Sequence, residues 1–256
     1  MCGRFVSSSP PDEIAKYFDV DETAEQAIEQ QPNYNTAPST DVFVVYEDGS
    51  TRRLDTFHWG LVPVWAKDLS VGNRMINARA ETVTGKPAFK RAFARRRCIL
   101  PVDGFYEWKA TPGEKRKQPY FIHRPDGEPF AFAGLWEQWH GRPDEAGKLV
   151  KSHRDEDGNH PDDEITVRSV TIITGAANET MSAVHDRMPV ILPPSAWETW
   201  LSPEQQDVDA LGKLLVPAPN ELITFHPVST EVNSVRNKGE HLVEEVDPLV
   251  DEGRLL

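Results

Sequence analysis

Short apolar runs separated by turn-forming residues dominate the chain. Residues 41–46 (DVFVVY), 53–59, 97–102, 120–123, 130–135, 169–174 and 222–227 are rich in β-branched and aromatic side chains and bounded by Pro, Gly, Asp or Asn, which predicts seven strands. Helical spacing of apolar residues is confined to 11–18, 87–96, 178–184, 195–200 and 204–215, with Ser195 as a candidate N-cap. These strands do not alternate regularly with helices. The pattern therefore predicts an α+β fold, a single domain with a largely antiparallel, barrel-like core and short flanking helices, in place of a doubly wound parallel sheet. Gly-rich phosphate loops, His-Glu-x-x-His and Cys-x-x-Cys are all missing from the sequence, which removes P-loop, zincin and zinc-ribbon chemistry.

Composition changes this picture mainly through charge. The 256 residues suffice for one large core, and 28 Lys+Arg against 41 Asp+Glu give a net charge of −13, which as a sum argues against nucleic acid. The distribution argues differently. Residues 1–100 carry 13 basic and 13 acidic side chains, and the segment 74–97 holds eight basic residues against the single acid Glu81. That segment reads either as a phosphate-facing strip or as a solvated helix face over Ala88, Phe89, Ala92 and Phe93. Acids gather in 141–164, expected to be a mobile insertion, and in 243–256, expected to be a solvated tail after a domain spanning 1–242. Lysines number only 11, a composition suited to solubility in high salt. No apolar run approaches the ~20 residues that span a bilayer, and no secretory signal is visible. A cytoplasmic monomer without membrane contact is expected. Cys2 and Cys98 are too few for a disulfide framework or a cysteine zinc site and are read as reduced thiols. Neither a metal nor a cofactor is expected.

Cys2 is the most informative position. Removal of Met1 leaves it with a free α-amine and a thiol on adjacent carbons, and such a 1,2-aminothiol condenses with an aldehyde, first to an imine and then to a five-membered thiazolidine. Glu107, in DGFYEW, is flanked by Tyr106 and Trp108 and is expected to be part-buried, a setting for a general acid or base or for a structural ion pair. His185, in HDRMPV, precedes a strand-like VIL and suits proton shuttling, although a lone histidine is more often structural. If 76–82 is extended, Asn77, Arg79 and Glu81 share one face. Trp59 and Trp65, in WGLVPVW, offer either core packing or an aromatic surface for an unpaired base. The 32–38 turn region is a candidate cleft lining, and His58 and His226 are candidate core histidines.

Seven segments, MCGRF, YNTAP, WGLVPVW, INARAET, DGFYEWK, HDRMPVIL and FHPVSTEVNSVRNKG, occur in this order across positions 1 to about 242. Together they resemble the SOS-response-associated peptidase family, the abasic-site processing proteins. The resemblance implies an α+β domain around a barrel-like core. It further implies autocatalytic removal of Met1 and capture of the ring-opened aldehyde of an abasic site in single-stranded DNA as a thiazolidine crosslink, a protective step in the DNA damage response at the nucleoid. Carried over by motif, Cys2 is the nucleophile, Asn77 the amide that positions it, Glu107 the carboxylate assisting Schiff-base formation and His185 the acid/base residue. Arg79 and Arg187 match phosphate-holding guanidiniums, while Arg4, Asn35, Pro38 and Trp65 match residues shaping the DNA cleft. Two rival readings are a cysteine peptidase acting on other proteins through Cys2 and His185, and a non-covalent single-strand binder using the 74–97 strip and the tryptophans.

Overall fold

The computed structural model describes residues 2–110, 116–144, 148–152 and 163–248. In chain order its strands are β1 (Phe5–Ser7), β2 (Glu22–Thr23), β3 (Asn33–Thr36), β4 (Asp41–Asp48), β5 (Thr51–Trp59), β6 (Asn77–Arg79) and β7 (Arg97–Val102). The second half adds β8 (Gly104–Lys109), β9 (Gln118–His123), β10 (Phe130–Pro143), β11 (Leu149–Lys151), β12 (Ile165–Ala176), β13 (Arg187–Pro189) and β14 (Thr224–Pro227). The helices are short: α1 (Pro11–Tyr17), α2 (Glu25–Ile28), α3 (Lys90–Arg95), α4 (Glu179–Ser182), α5 (Pro194–Leu201) and α6 (Val208–Gly212).

Five strands close on themselves. β10 pairs with β7, β7 with β4, β4 with β5, β5 with β12, and β12 returns to β10. An odd ring cannot be antiparallel at every joint, so one joint must be parallel. It is β5–β12, where Ser169 lies opposite His58 and Val170 opposite Trp59. The expected antiparallel, barrel-like core is thus present. β6 adds a second parallel partner to β12, and β11 and β13 extend the sheet. A separate five-stranded antiparallel sheet runs β14-β9-β8-β1-β3 and is continuous in sequence with the barrel through β7 and β8.

Closure explains the uninterrupted apolar run of β4. Side chains alternate across a strand, so Phe43 and Val45 face the outside, where Phe18, Phe93, Trp197 and Trp200 from the helical segments cover them. Val42, Val44 and Tyr46 face inward with Trp59, Leu100, Phe132 and Ile172. Both faces of the strand are buried. The small sheet packs Phe5, Phe105 and Ile122 on the inward cluster and Val6, Tyr106 and Phe121 on a third cluster with Val232 and Leu242.

Several expectations change. β10 runs 14 residues and β12 runs 12, because both continue past the barrel as a ribbon that also carries β11. Residues 141–143 and 149–151 therefore belong to the sheet, in contrast to the expected mobile insertion, of which residues 145–147 and 153–162 lie outside the described residues. Beyond 242 the chain stays attached at least to Val246, whose amide donates to Pro227 O at 3.0 Å. Ser195 lies inside α5, and Pro193 occupies the cap position. The 204–215 helix shortens to α6, capped by the Asp207 carboxylate.

The basic strip breaks up most. Arg97 is 2% exposed and donates to the carbonyls of Trp200 (2.7 Å), Phe93 (2.9 Å), Gln205 (2.8 Å) and Ser202. Arg96 pairs with the buried Glu137 and lies over the Trp136 ring. Neither faces phosphate. Lys90, Arg91 and Arg95 remain exposed along α3. Replacing Arg97 by Leu strands four carbonyls, those of Trp200 and Phe93 in buried bonds and those of Ser202 and Gln205 in part-buried ones, and we expect a loss on the order of 3 kcal/mol, read as a lower urea midpoint at unchanged slope.

Candidate functional site

Three separate strands and one loop bring the sequence-predicted chemistry together. β1 pairs with β8 in the register Phe5 opposite Phe105, and the Tyr106 amide donates to Arg4 O at 3.0 Å. Continued toward the N-terminus, this pairing carries Cys2 alongside the Glu107 end of β8. β6 enters from the barrel, where Ile172 pairs with Asn77 and the Trp59 indole N–H holds Ile76 O at 3.0 Å. The Asn77 Nδ2 then donates to Cys2 O at 2.7 Å.

Cys2 is completely buried, in the inward cluster of the barrel. Burial, reinforced by the Glu107 charge, pushes its thiol well above the ordinary range, so the sulfur is held as the neutral thiol. Any reaction at sulfur needs a neighbour to accept that proton. Glu107 is 4% exposed, more deeply buried than the expected part-burial, and its Oε2 lies 3.9 Å from His185 Nε2. His185 follows α4, whose first turn Asn178 caps at the Met181 amide, and its own amide donates to Met181 O at 2.9 Å. The Arg187 amide donates to His185 Nδ1 at 3.0 Å. A nitrogen that accepts carries no hydrogen, so the neutral ring bears its proton on Nε2, toward Glu107. Asp186 Oδ1, 3.0 Å from the same Nδ1, partners the ring when both nitrogens are protonated.

The Asn77 side chain has a second feature. Its Oδ1 is buried without a hydrogen-bond partner among the described residues. A buried amide oxygen left unsatisfied normally costs stability, so its position beside Cys2 marks it as an acceptor awaiting a donor.

The arginines separate into different roles. Arg79, at the end of β6, is exposed and makes no hydrogen bond or ion pair among the described residues. Arg187 instead grips both Glu81 carboxylate oxygens and donates to Thr174 O at 2.7 Å, and it holds the Glu81 carboxyl below its ordinary range. β6 ends at Arg79, so the expected shared face extends from Asn77 to Arg79 and stops before Glu81. Arg4 donates to Asn35 Oδ1 at 2.7 Å and Val232 O at 2.9 Å. Asn35 is 1% exposed and donates to the carbonyls of Val232, Ser234 and Asn237. These two side chains shape the surroundings from beneath by clamping the 232–237 segment. Pro38 sits half-buried in the turn after β3, docked through Ser39 onto Trp59 O and Asn73. Of the two tryptophans, Trp59 is core and Trp65 is 54% exposed.

Sequence reasoning missed β1, β3, β8 and β13, each only three to six residues long. It also missed the pairing of Glu81 with Arg187, for which nothing local in the sequence gives a signal. A cleft of about 400 Å³ beside α3 is lined by Thr84, Lys90, Arg91, Phe93 and Arg95 and contains none of Cys2, Asn77, Glu107 and His185. No group of three potential metal ligands occurs among the described residues, and no helix there is long and apolar enough to cross a membrane.

A buried cysteine at position 2, held by an amide and acted on by a carboxylate that an imidazole faces, sits on a closed barrel. The chain belongs to the SOS response associated peptidase (SRAP) family, whose model matches residues 1–235. It is 41% identical over 244 residues to abasic site processing protein YoaM of Bacillus subtilis, covering 95% of this chain and 98% of that protein. It is also 32% identical over 253 residues to abasic site processing protein YedK of Escherichia coli, covering 96% and 100%. Abasic site processing protein HMCES of Xenopus tropicalis is 33% identical over 263 residues, covering 93% of this chain and 76% of that protein. A crystal structure of a protein from Bacteroides thetaiotaomicron shares the fold, with a TM-score of 0.77 at 22% identity over 96% of this chain and all of the other.

Proposed function

We propose that this protein processes abasic sites in DNA by capturing their ring-opened aldehyde on Cys2, after loss of Met1, as a thiazolidine. The observation that supports the reading is the buried Cys2 held by Asn77 and acted on by the Glu107 charge, with His185 Nε2 3.9 Å from that carboxylate. A thiol alone would not require an amide on the adjoining carbonyl. A nucleophile formed from the amine and the thiol of one residue requires its backbone to be fixed, and the 2.7 Å bond from Asn77 to Cys2 O does this.

Removing Met1 turns the acylated nitrogen of Cys2 into a free α-amine with a nucleophilic lone pair. The neutral amine attacks C1 of the open-chain sugar, one proton passes to the resulting alkoxide, and a second protonation lets water leave and gives the imine. Glu107 and the Nε2 proton of His185 face each other across 3.9 Å and supply and recover these protons. The Cys2 thiol then gives its proton to the same pair while sulfur bonds to C1, closing the five-membered ring. The net reaction joins aldehyde and aminothiol and releases one water. The Asn77 amide, Glu107 carboxylate and His185 imidazole also suit removal of Met1 by the protein itself: the Cys2 thiol attacks the Met1 carbonyl, the Cys2 nitrogen leaves as the α-amine with a proton from the Glu107 and His185 pair, and water hydrolyses the thioester to release methionine.

Single-stranded DNA suits this arrangement, because an exposed indole at Trp65 offers a stacking face and Arg79 offers an uncommitted cation. Arg187 takes a phosphate only by releasing Glu81. We accordingly expect Arg79→Ala to weaken binding uniformly across sequences and to flatten the plot of log affinity against log salt by about one phosphate contact. Arg187→Ala is expected to change that slope less. The test of the reading as a whole mixes Met1-free protein with an oligonucleotide carrying one abasic site and resolves the mixture on a denaturing gel. A shifted, heat-stable band is expected, and none with the undamaged oligonucleotide. Absence of the band at every salt concentration sinks the proposal.

A further inference from the structure

The segment 62–69, which presents Trp65, is gripped from one side by the acid-rich stretch that sequence composition assigned to solvent. Within this segment Val62 and Ala66 form a separate buried cluster with Trp139, packed against Leu69, Val71, Leu149 and Val167. The Trp139 indole N–H donates to Ala66 O at 2.9 Å, and the turn closes through the Ala66 amide on Pro63 O at 2.8 Å. Gly141 makes room for this, since a Cβ there would sit 2.1 Å from the Trp139 ring.

β11, with Lys148 immediately before it, then adds four contacts to the same turn. The Lys151 amide donates to Lys67 O at 2.8 Å, and the Lys151 ammonium bonds Val64 O, the carbonyl immediately before Trp65. Lys148 Nζ lies 2.9 Å from Asp68 Oδ2, and Asp68 bridges Val150 as an isolated β-pair. Asp68 is also the N-cap of the 3-10 turn Leu69–Arg74. One residue thus joins the lysine of the hairpin to the turn that follows Trp65.

We propose that β11, through Lys151 and Lys148, is a brace that sets the orientation of the Trp65 indole and so tunes how this protein engages an unpaired base. The proposal rests on the reading of Trp65 as a stacking platform. Lys148 and Lys151 are positioning residues, as neither reaches toward Cys2. The two lysines differ in kind. Lys148–Asp68 is a surface pair that salt screens, whereas Lys151 bonds a neutral carbonyl and pairs through its backbone, so it holds at high salt. The brace therefore keeps its main attachment at ionic strengths that abolish ordinary surface ion pairs.

The test uses the Met1-free full chain and an oligonucleotide with the fluorescent base 2-aminopurine beside the abasic site, whose emission is quenched on stacking. Lys151→Met keeps the aliphatic stem and removes the donor. It is expected to lose most of the quench and raise the half-saturating DNA concentration about threefold, with the crosslinking rate at saturating DNA unchanged; Trp65→Ala is expected to raise that concentration roughly tenfold. Lys151→Arg restores the quench. Lys148→Met is expected to give a smaller shift that vanishes in high salt. Should Lys151→Met unfold, the Lys148→Met shift and its salt dependence decide the matter alone. If Trp65→Ala removes the quench while both lysine variants keep it, the brace is wrong and the stacking reading stands. If Trp65→Ala itself leaves the quench intact, the stacking reading fails and the brace fails with it.

Discussion

Cys2→Ala is expected to abolish the heat-stable DNA adduct completely while leaving an adduct that borohydride can trap. The two outcomes separate because alanine at position 2 still offers an α-amine once Met1 is removed by an added aminopeptidase, which this variant needs because it lacks the nucleophile for self-processing; an imine can then form, but no sulfur is present to close a ring on it. An imine is hydrolysed during denaturing electrophoresis unless it is reduced. Reductive trapping before the gel distinguishes loss of the ring from loss of amine attack. The fold should tolerate the change, because the Cys2 side chain is small and the bond that fixes the residue runs from Asn77 to its backbone carbonyl. Retention of a heat-stable band by Cys2→Ala contradicts the assignment of the sulfur.

Glu107→Gln is expected to slow crosslink formation by roughly 10²–10⁴-fold, the range that general acid–base groups supply. The substitution preserves shape in a position only 4% exposed, yet it removes the one carboxylate facing His185 Nε2. The buried Cys2 thiol also depends on it. Burial holds that thiol in its neutral form, so ring closure requires a proton acceptor nearby, and a neutral amide cannot act as one. Single-turnover rates at saturating DNA, compared with His185→Ala, check this. Loss of His185 is expected to impair chiefly sugar ring opening or reversal of the crosslink. A Glu107→Gln variant that matches wild type removes Glu107 from the reaction.

The barrel was readable in sequence because its strands are buried on two faces, and double burial writes a continuous apolar run such as 41–46. The strands of the site were not. β1 and β13 have three residues each, too few for a period to register, β6 shows only within the alternating 76–82 stretch, and β8 mixes Gly104, Glu107 and Lys109 with its aromatics. Cys2, Asn77, Glu107 and His185 were nonetheless identifiable, since their chemistry is unusual for their settings and their motifs occur together. Charge misled in both directions. Arg97 counts as a surface cation in any sum over the sequence, yet it packs inside as a donor to main-chain carbonyls. Lys148 and Lys151 vanish among the acids around them, yet tertiary pairing directs both onto the turn of Trp65. Local composition cannot show where a side chain goes once a turn 80 residues away supplies the partner.

The central claim, that amine and sulfur of Cys2 together take up the aldehyde, is most directly tested by the intact mass of the adduct. Wild-type protein is incubated with the abasic oligonucleotide without reductant, and the product is digested and sequenced by mass spectrometry. The account predicts a mass equal to the protein lacking Met1 plus the oligonucleotide minus one water, with the modification on Cys2 and no gain of hydrogen on borohydride treatment. An adduct on a lysine, an adduct retaining Met1, or one that borohydride reduces contradicts it.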